Sequence, residues 1–258
     1  MMERRVLADG VRVLVPEGFE ADGFLVAFTE RAEGVSEDAF RSLNLGLRCG
    51  DDPARALENR RRVCLGLGIP NFSLVRQVHS ATIVRAGRRQ VGAGFEDPAG
   101  ALGNADAIVT ESRLVPVAVL TADCVPVVLA DPEAGQVAVV HAGWRGVAQG
   151  VLRSALDCFR EPAAVRAAVG PAIGPDHYEV GEDVVVAVSA ACPEGALAHR
   201  SNGRLLLDLP GTVCRSLASF GVRSVDREEV CTACEPERFF SHRRDGVTGR
   251  QGVVAMLR

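Results

Sequence analysis

Apolar residues in this chain gather into short blocks rich in Val, Ile, Leu and Ala, separated by Gly, Pro and charged residues. Such blocks predict strands at 11–15, 24–28, 74–78, 82–85, 107–110, 115–120, 125–130, 136–140, 165–169, 205–207 and 253–257. Helical spacing predicts helices over 53–67, 145–160, 182–191 and 210–219. Pro53 and Pro210 suit a first helical turn, and Gly66 and Gly68 end the first of these helices. Residues 87–103, rich in Gly and polar side chains, read as a loop. Strands with interspersed helices predict an α+β fold. No repeat, low-complexity tract or long linker divides the chain, so a single domain over residues 1–258 is expected.

The apolar runs 125–130 and 136–140 flank Asp131-Pro-Glu-Ala-Gly135, a strong turn signal. An antiparallel hairpin centred near Glu133 pairs residues whose numbers sum to about 266. Cys124 then faces position 142, beside His141, at the open end of the hairpin. His79 ends a further apolar run, so another strand would supply it. Two imidazoles and a thiolate suit Zn²⁺, and three protein ligands leave a tetrahedral ion one open position, as in catalytic sites. Taken singly, each residue has a plainer reading: a buried Cys packs as a small hydrophobe, and a His at a strand end is a hydrogen-bonded core residue.

Composition narrows the function. Hydrophobic content of 47% and charged content of 24% are globular values, and a net charge of −4 gives no reason to expect nucleic acid. No apolar run approaches a membrane span, and the N-terminal residues lack a signal-peptide core, so a cytoplasmic protein with reduced cysteines is expected. All 29 basic residues are arginine. That excludes Schiff-base lysine chemistry and a phosphate-loop lysine.

Flanking sequences carry more than the ligands alone. Gln77-Val-His79, Ala105-Asp-Ala107, Thr121-Ala-Asp-Cys124-Val-Pro126, His141-Ala-Gly-Trp-Arg-Gly146, Gly170-Pro-Ala-Ile-Gly174 and Arg243-Arg-Asp-Gly-Val-Thr-Gly-Arg250 occur in this order. Ser42-Leu-Asn-Leu-Gly46 and Asn59-Arg60 precede them. The series resembles the YfiH-like family, long labelled multicopper polyphenol oxidoreductases or laccase-domain proteins and now regarded as purine nucleoside phosphorylases with adenosine deaminase activity. The resemblance runs from about Phe28 to Arg250. It implies mixed β-sheets layered between helices (α/β/β/α) and a zinc site at His79, Cys124 and His141. Members often carry Thr-Arg where this chain has Thr29-Glu30-Arg31, and Tyr where it has His242.

Zinc there could activate water for attack on adenosine at its amino-bearing ring carbon, or polarise a substrate group during phosphorolysis. Phosphorolysis needs cationic contacts to phosphate, which must come from Arg. Arg145, four residues beyond His141, leads, with Arg243 and Arg244 next; the alternative for each is an ion-pair Arg at the surface. Asn44 of the early motif is the further substrate-binding candidate. Asp123, before Cys124, is a candidate orienter or proton acceptor, although strand alternation points it away from Cys124. Cys124, Asp123 and Arg145 thus form the candidate catalytic set. Partners would be purine nucleosides and phosphate, with no nucleic acid or membrane; oligomeric state stays open.

Two other classes compete. A copper-dependent polyphenol oxidase needs several imidazole-rich centres, and the chain has five His: 79, 141, 177, 199 and 242. Met1, Met2 and Met256 lie away from the motifs, so a type-1 copper site lacks its axial ligand. Cu²⁺ outranks Zn²⁺ in affinity, however, and is an alternative occupant of the same site. A non-catalytic, metal-stabilised interaction protein is the remaining class, against which the open coordination position speaks. Finally, His177-Tyr-Glu179 with Cys231-Thr-Ala-Cys234 echoes the zinc nucleobase deaminase signature. Val230 stands where that signature has Pro, and His177 lies in a Gly/Pro-rich loop, so the cysteines read as packed thiols, with a redox pair the next reading.

Overall fold

The computed structural model describes residues 2–258. In chain order the strands are β1 (Met2–Val6), β2 (Arg12–Pro16), β3 (Phe24–Thr29), β4 (Ile83–Arg85), β5 (Ala107–Thr110), β6 (Val117–Thr121), β7 (Val125–Asp131), β8 (Gln136–Ala142), β9 (Arg166–Val169), β10 (Ala198–Ser201), β11 (Arg204–Leu207), β12 (Ser224–Arg227) and β13 (Gln251–Leu257). The α-helices are α1 (Pro53–Leu67), α2 (Trp144–Ala148), α3 (Val151–Leu156), α4 (Glu182–Ala191), α5 (Leu209–Ser219) and α6 (His242–Asp245). One sheet has five strands in the order β1-β2-β3-β13-β6, and a second has six in the order β12-β9-β7-β8-β5-β4. Strands β10 and β11 form a separate hairpin.

Alternation along the strands sets the layering. Every residue of β7 and β8 is buried, so successive side chains serve opposite faces. Val128, Ala130, Val137 and Val139 pack between the two sheets against Phe24, Phe28, Val119 and Val253. Val127, Leu129, Ala138 and Val140 face the other way and are covered by α2–α5 through Val147, Leu152, Val188 and Val213. The five-stranded sheet turns Leu25, Ala27 and Val254 outward onto Val63 and Cys64 of α1. The order is helix, sheet, sheet, helices, as the family resemblance implies. Helix α1 is stopped at both ends by local chemistry. The Asp52 carboxylate accepts from the Ala54 N–H at 2.9 Å, and Gly68 adopts φ +67° while donating to the Cys64 and Leu65 carbonyls.

Several sequence expectations are corrected. The β7–β8 hairpin forms around the expected turn, but Val125 pairs with Ala142 and Asp131 with Gln136, one residue out of the expected register. The Asp131 carboxylate accepts from the Glu133 and Ala134 N–H groups, which fixes a four-residue turn at 132–135. Residues 74–78 are not a strand: Ser73 and Arg76 make only isolated bridges. The Gln77 amide instead pairs with both backbone groups of Leu120, at 2.7 and 2.9 Å, standing in for a strand neighbour. The helix expected over 145–160 breaks into α2 and α3 at Gly150, whose φ is +87°. Strands β1, β10 and β12 escaped the sequence reading because they are edges rich in charged residues, and none of their residues but Met2 is fully buried.

The sheets meet closely where Gly170, just past β9, faces Phe28 of β3. A Cβ on Gly170 would lie 2.2 Å from the Phe28 ring. Gly170→Ala should therefore force Phe28 or the sheet contact to shift, costing about 1–3 kcal/mol. Thermal denaturation should show Tm several degrees lower; an unchanged Tm would mean that the inter-sheet core yields freely there.

Candidate metal centre and its cleft

Cys124 and His141 come from the open end of the hairpin, as expected, and His79 from the bridged segment that follows residue 76. One donor atom from each lies within 4.8 Å of the others, and Cys124 Sγ is 3.9 Å from His79 Nε2. The two imidazole rings meet edge to face at 4.9 Å. A tetrahedral ion with bonds of about 2.3 Å to sulfur and 2.0 Å to nitrogen sets those atoms roughly 3.5 Å apart, so the donor set fits a zinc-class ion. Gly143 makes the approach possible. A Cβ there would sit 2.8 Å from the His79 ring and 3.0 Å from Cys124 Sγ.

Asp106, fully buried between the two histidines, builds this geometry. Its Oδ1 accepts from His141 Nδ1 at 2.8 Å and from the His79 N–H at 3.0 Å. Its Oδ2 accepts from the Ser80 N–H at 2.6 Å, the Ser80 hydroxyl at 2.9 Å and the Val78 N–H at 3.2 Å. These bonds hold His79 at φ +59°, a left-handed conformation unfavourable for a residue with a Cβ. They also leave His141 Nε2 as the free ring nitrogen, the arrangement of a metal-ligating His oriented by a carboxylate. Gln149 adds a bond to the His79 carbonyl at 3.1 Å.

The charges reinforce the set. Burial alone would push the Cys124 thiol up, but the His141 and His79 rings outweigh it and bring the thiol down to about 6. Burial likewise opposes charge on Asp106, yet His141 and Ser80 hold its carboxyl down at about 2. Thiolate is the form that binds metal.

The three donors line a cleft of about 540 Å³, a size suited to a small-molecule ligand. Among the described residues its lining includes Arg48, Arg60, Arg76, Arg145 and Arg250 and no carboxylate. Arg60 is buried and donates to the Leu45, Gly94 and Phe95 carbonyls. Arg250 donates to the Thr248 and Gly249 carbonyls. Arg48, Arg76 and Arg145 are exposed and form no ion pair among the described residues. Arg145 lies 4.5 Å over the Trp144 ring. His242 also lines the cleft, with Nδ1 bonded to the Gly246 carbonyl at 2.6 Å.

The remaining sequence candidates face elsewhere. Asn44 is buried, with its amide shared among the Gly46 backbone, the Asp51 carboxylate and the Arg250 N–H. It shapes the cleft wall from behind. Asp123, at φ +88°, accepts from the Thr232 hydroxyl and the Arg243 N–H, both at 2.6 Å. Its carboxylate is spent tying 232 and 243 to the Cys124 loop. The Arg243 side chain donates to the Glu179 carbonyl and covers the Tyr178 ring, away from the cleft lining. Arg244 is paired with Asp245. Sequence reasoning missed Arg48, Arg76 and Asp106 as site residues. Arg48 follows the early motif by two positions, and Arg76 immediately precedes Gln77-Val-His79, so nearness to the motifs was the available signal. A second group also assembles: His177 lies 3.5 Å from Cys234 Sγ and 3.8 Å from Cys231 Sγ. These cysteines are half-buried and exposed, not packed in the core as expected.

Asp106→Ala removes at once the partner of His141 and the acceptor of three backbone N–H groups. Zinc affinity, measured by competition with a chromophoric chelator, should fall about 10–100-fold. Unchanged affinity would show that the two histidines are positioned without it.

A family model described as multi-copper polyphenol oxidoreductase laccase matches residues 25–258. A purine nucleoside phosphorylase of Corynebacterium glutamicum is 38% identical over 240 residues, covering 89% of this chain and 93% of the relative. Purine nucleoside phosphorylase YfiH of Escherichia coli is 35% identical over 249 residues, covering 95% and 99%. The crystal structure of YlmD from Geobacillus stearothermophilus superposes with a TM-score of 0.91 at 34% identity, covering 100% of both chains. That of a hypothetical YfiH protein of Bacillus licheniformis gives 0.90 at 30% identity, covering 99% of both. With a family match over most of its length and full-length relatives in both sequence and structure, the chain belongs to the laccase-like YfiH family.

Proposed function

We propose that this protein is a purine nucleoside phosphorylase, with adenosine deaminase activity at the same centre, and that His79, Cys124 and His141 hold Zn²⁺. The observation that carries the reading is a wall of arginines without carboxylates beside a three-donor floor. Relatives named purine nucleoside phosphorylase support it.

In phosphorolysis an oxygen of phosphate bonds to the ribose anomeric carbon as the glycosidic bond breaks. The electron pair of that bond leaves with the purine, which takes up a proton. Arg48, Arg76 and Arg145 supply the cationic contacts for a dianion, and no wall carboxylate repels it. Val75, Pro98, Ala101 and Leu120 give the same cleft an apolar side for a purine face. His242 has one ring nitrogen committed to Gly246 and the other without a protein partner among the described residues. It is the imidazole in the wall outside the donor set, and we give it the role of passing a proton to the leaving base. When bound, Zn²⁺ supplies Lewis-acid polarisation and activation of water, the chemistry deamination requires. The chain's part is to orient the donors through Asp106 and to present them to the cleft.

Purified protein incubated with adenosine or inosine should release free base and ribose 1-phosphate only when phosphate is present. Arg145→Ala should raise the KM for phosphate about 10–100-fold, the effect of one lost charge-assisted hydrogen bond of about 1.5–3 kcal/mol, and leave deamination nearly unchanged. Base release without phosphate would contradict phosphorolysis. Parallel loss of both activities would make Arg145 structural.

A further inference from the structure

Outside the cleft, a second donor set converges from two loops distant in sequence. His177 lies in the loop between β9 and α4, and Cys231 and Cys234 lie in the loop after β12. One ligand atom from each falls within 4.8 Å of the others. The sulfur-to-nitrogen separations, 3.5 Å to Cys234 and 3.8 Å to Cys231, lie at and just above the roughly 3.5 Å expected when one tetrahedral ion binds both atom types. The C-x-x-C spacing is the one by which neighbouring cysteines share an ion. Cys231 Sγ also accepts the Gly174 N–H at 3.1 Å, a contact that ties the 231–234 loop to the 174–177 loop. A small cavity of about 140 Å³ adjoins the group, and Asp176, Glu228 and Glu229 line it against a single basic residue, Arg227. That excess of negative charge favours a cation.

We propose that His177, Cys231 and Cys234 bind a second, thiophilic divalent ion of the zinc class, and that this ion clamps the loop behind Cys124. Three protein ligands and the exposure of His177 and Cys234 leave water to complete the tetrahedron. The clamp acts through short links. Thr232, between the two cysteines, donates from its hydroxyl to Asp123 at 2.6 Å, and Asp123 precedes Cys124. Arg243, whose N–H binds the other Asp123 oxygen, reaches back to the Glu179 carbonyl, two residues from His177. The ion would cross-link the 177 and 231–234 loops, and the Asp123 network carries that restraint to the edge of the cleft.

The test is metal stoichiometry of the full chain under reducing, anaerobic conditions, with Zn²⁺ as the probe and dialysis to remove loosely held ion. Wild type should retain two equivalents, Cys124→Ala one and Cys234→Ser one. Because Cys234 is exposed, its replacement by Ser should leave the fold intact, and the single equivalent that variant keeps reports this directly. With Co²⁺ as the probe, Cys124→Ala should still show the sulfur-to-metal charge-transfer absorption of a two-thiolate site. The proposal fails if wild type retains one equivalent that Cys124→Ala abolishes. It fails equally if Cys234→Ser still binds two, or if the two cysteines of the reduced, metal-loaded protein label with a thiol reagent as fast as in the metal-free protein.

Discussion

The Asp106 carboxylate ties the 78–80 segment to the His141 ring at the point where the candidate donors meet. A buried carboxylate is costly unless its charge is met by donors. Here the donors are the Val78, His79 and Ser80 N–H groups, the Ser80 hydroxyl and the His141 ring. The same bonds that stabilise the charge hold His79 in a left-handed conformation and fix which nitrogen of His141 is free. The Asp106 carbonyl also accepts the His141 N–H at 2.7 Å, so backbone and side chain agree on the register. The geometry of the candidate donors is thus a by-product of satisfying one buried anion.

The sheets determine where that anion can sit. Strand β6 belongs to the five-stranded sheet and β7 to the six-stranded one, so residues 122–124 are the crossing between layers. Asp123 makes the crossing with positive φ, its carboxylate anchored to Thr232 and Arg243, and Cys124 emerges beside the end of β8. Gly143 keeps the space between Cys124 and His79 clear. The cleft opens beside this crossing, where Leu120–Ala122 leave one sheet and the bridged 74–77 segment runs along it. Charges are thereby sorted: an anionic group stands behind the donors, and cationic side chains line the cleft in front.

Much of this was legible in the sequence because local patterns carried it. Doubly buried β7 and β8 read as continuous apolar runs, and the intervening Asp-Pro-Glu-Ala-Gly turn revealed the hairpin, hence the meeting of Cys124 and His141. The exact register did not follow, because the Asp131 side chain, not the centre of the turn, closes the loop. The candidates placed outside the cleft lining share a feature that the sequence does not display. Asn44, Asp123 and Arg243 spend their polar atoms on partners up to 206 residues away, and periodicity cannot report such partners. Asp106 stood in a quoted motif, but nothing in Ala-Asp-Ala marks it as the partner of a His 35 positions later. The His177, Cys231 and Cys234 group was set aside because it departs from a known signature, whereas its convergence depends on three-dimensional loop placement.

The most direct measurement is anomalous scattering at the zinc edge from crystals grown with Zn²⁺ and soaked in phosphate. A peak should appear among His79, Cys124 and His141, roughly 2.0–2.3 Å from their donor atoms. Phosphate should lie in the adjoining cleft against two or more of Arg48, Arg76 and Arg145. No peak between the three side chains, or phosphate bound only outside the cleft, would contradict a zinc centre serving phosphorolysis.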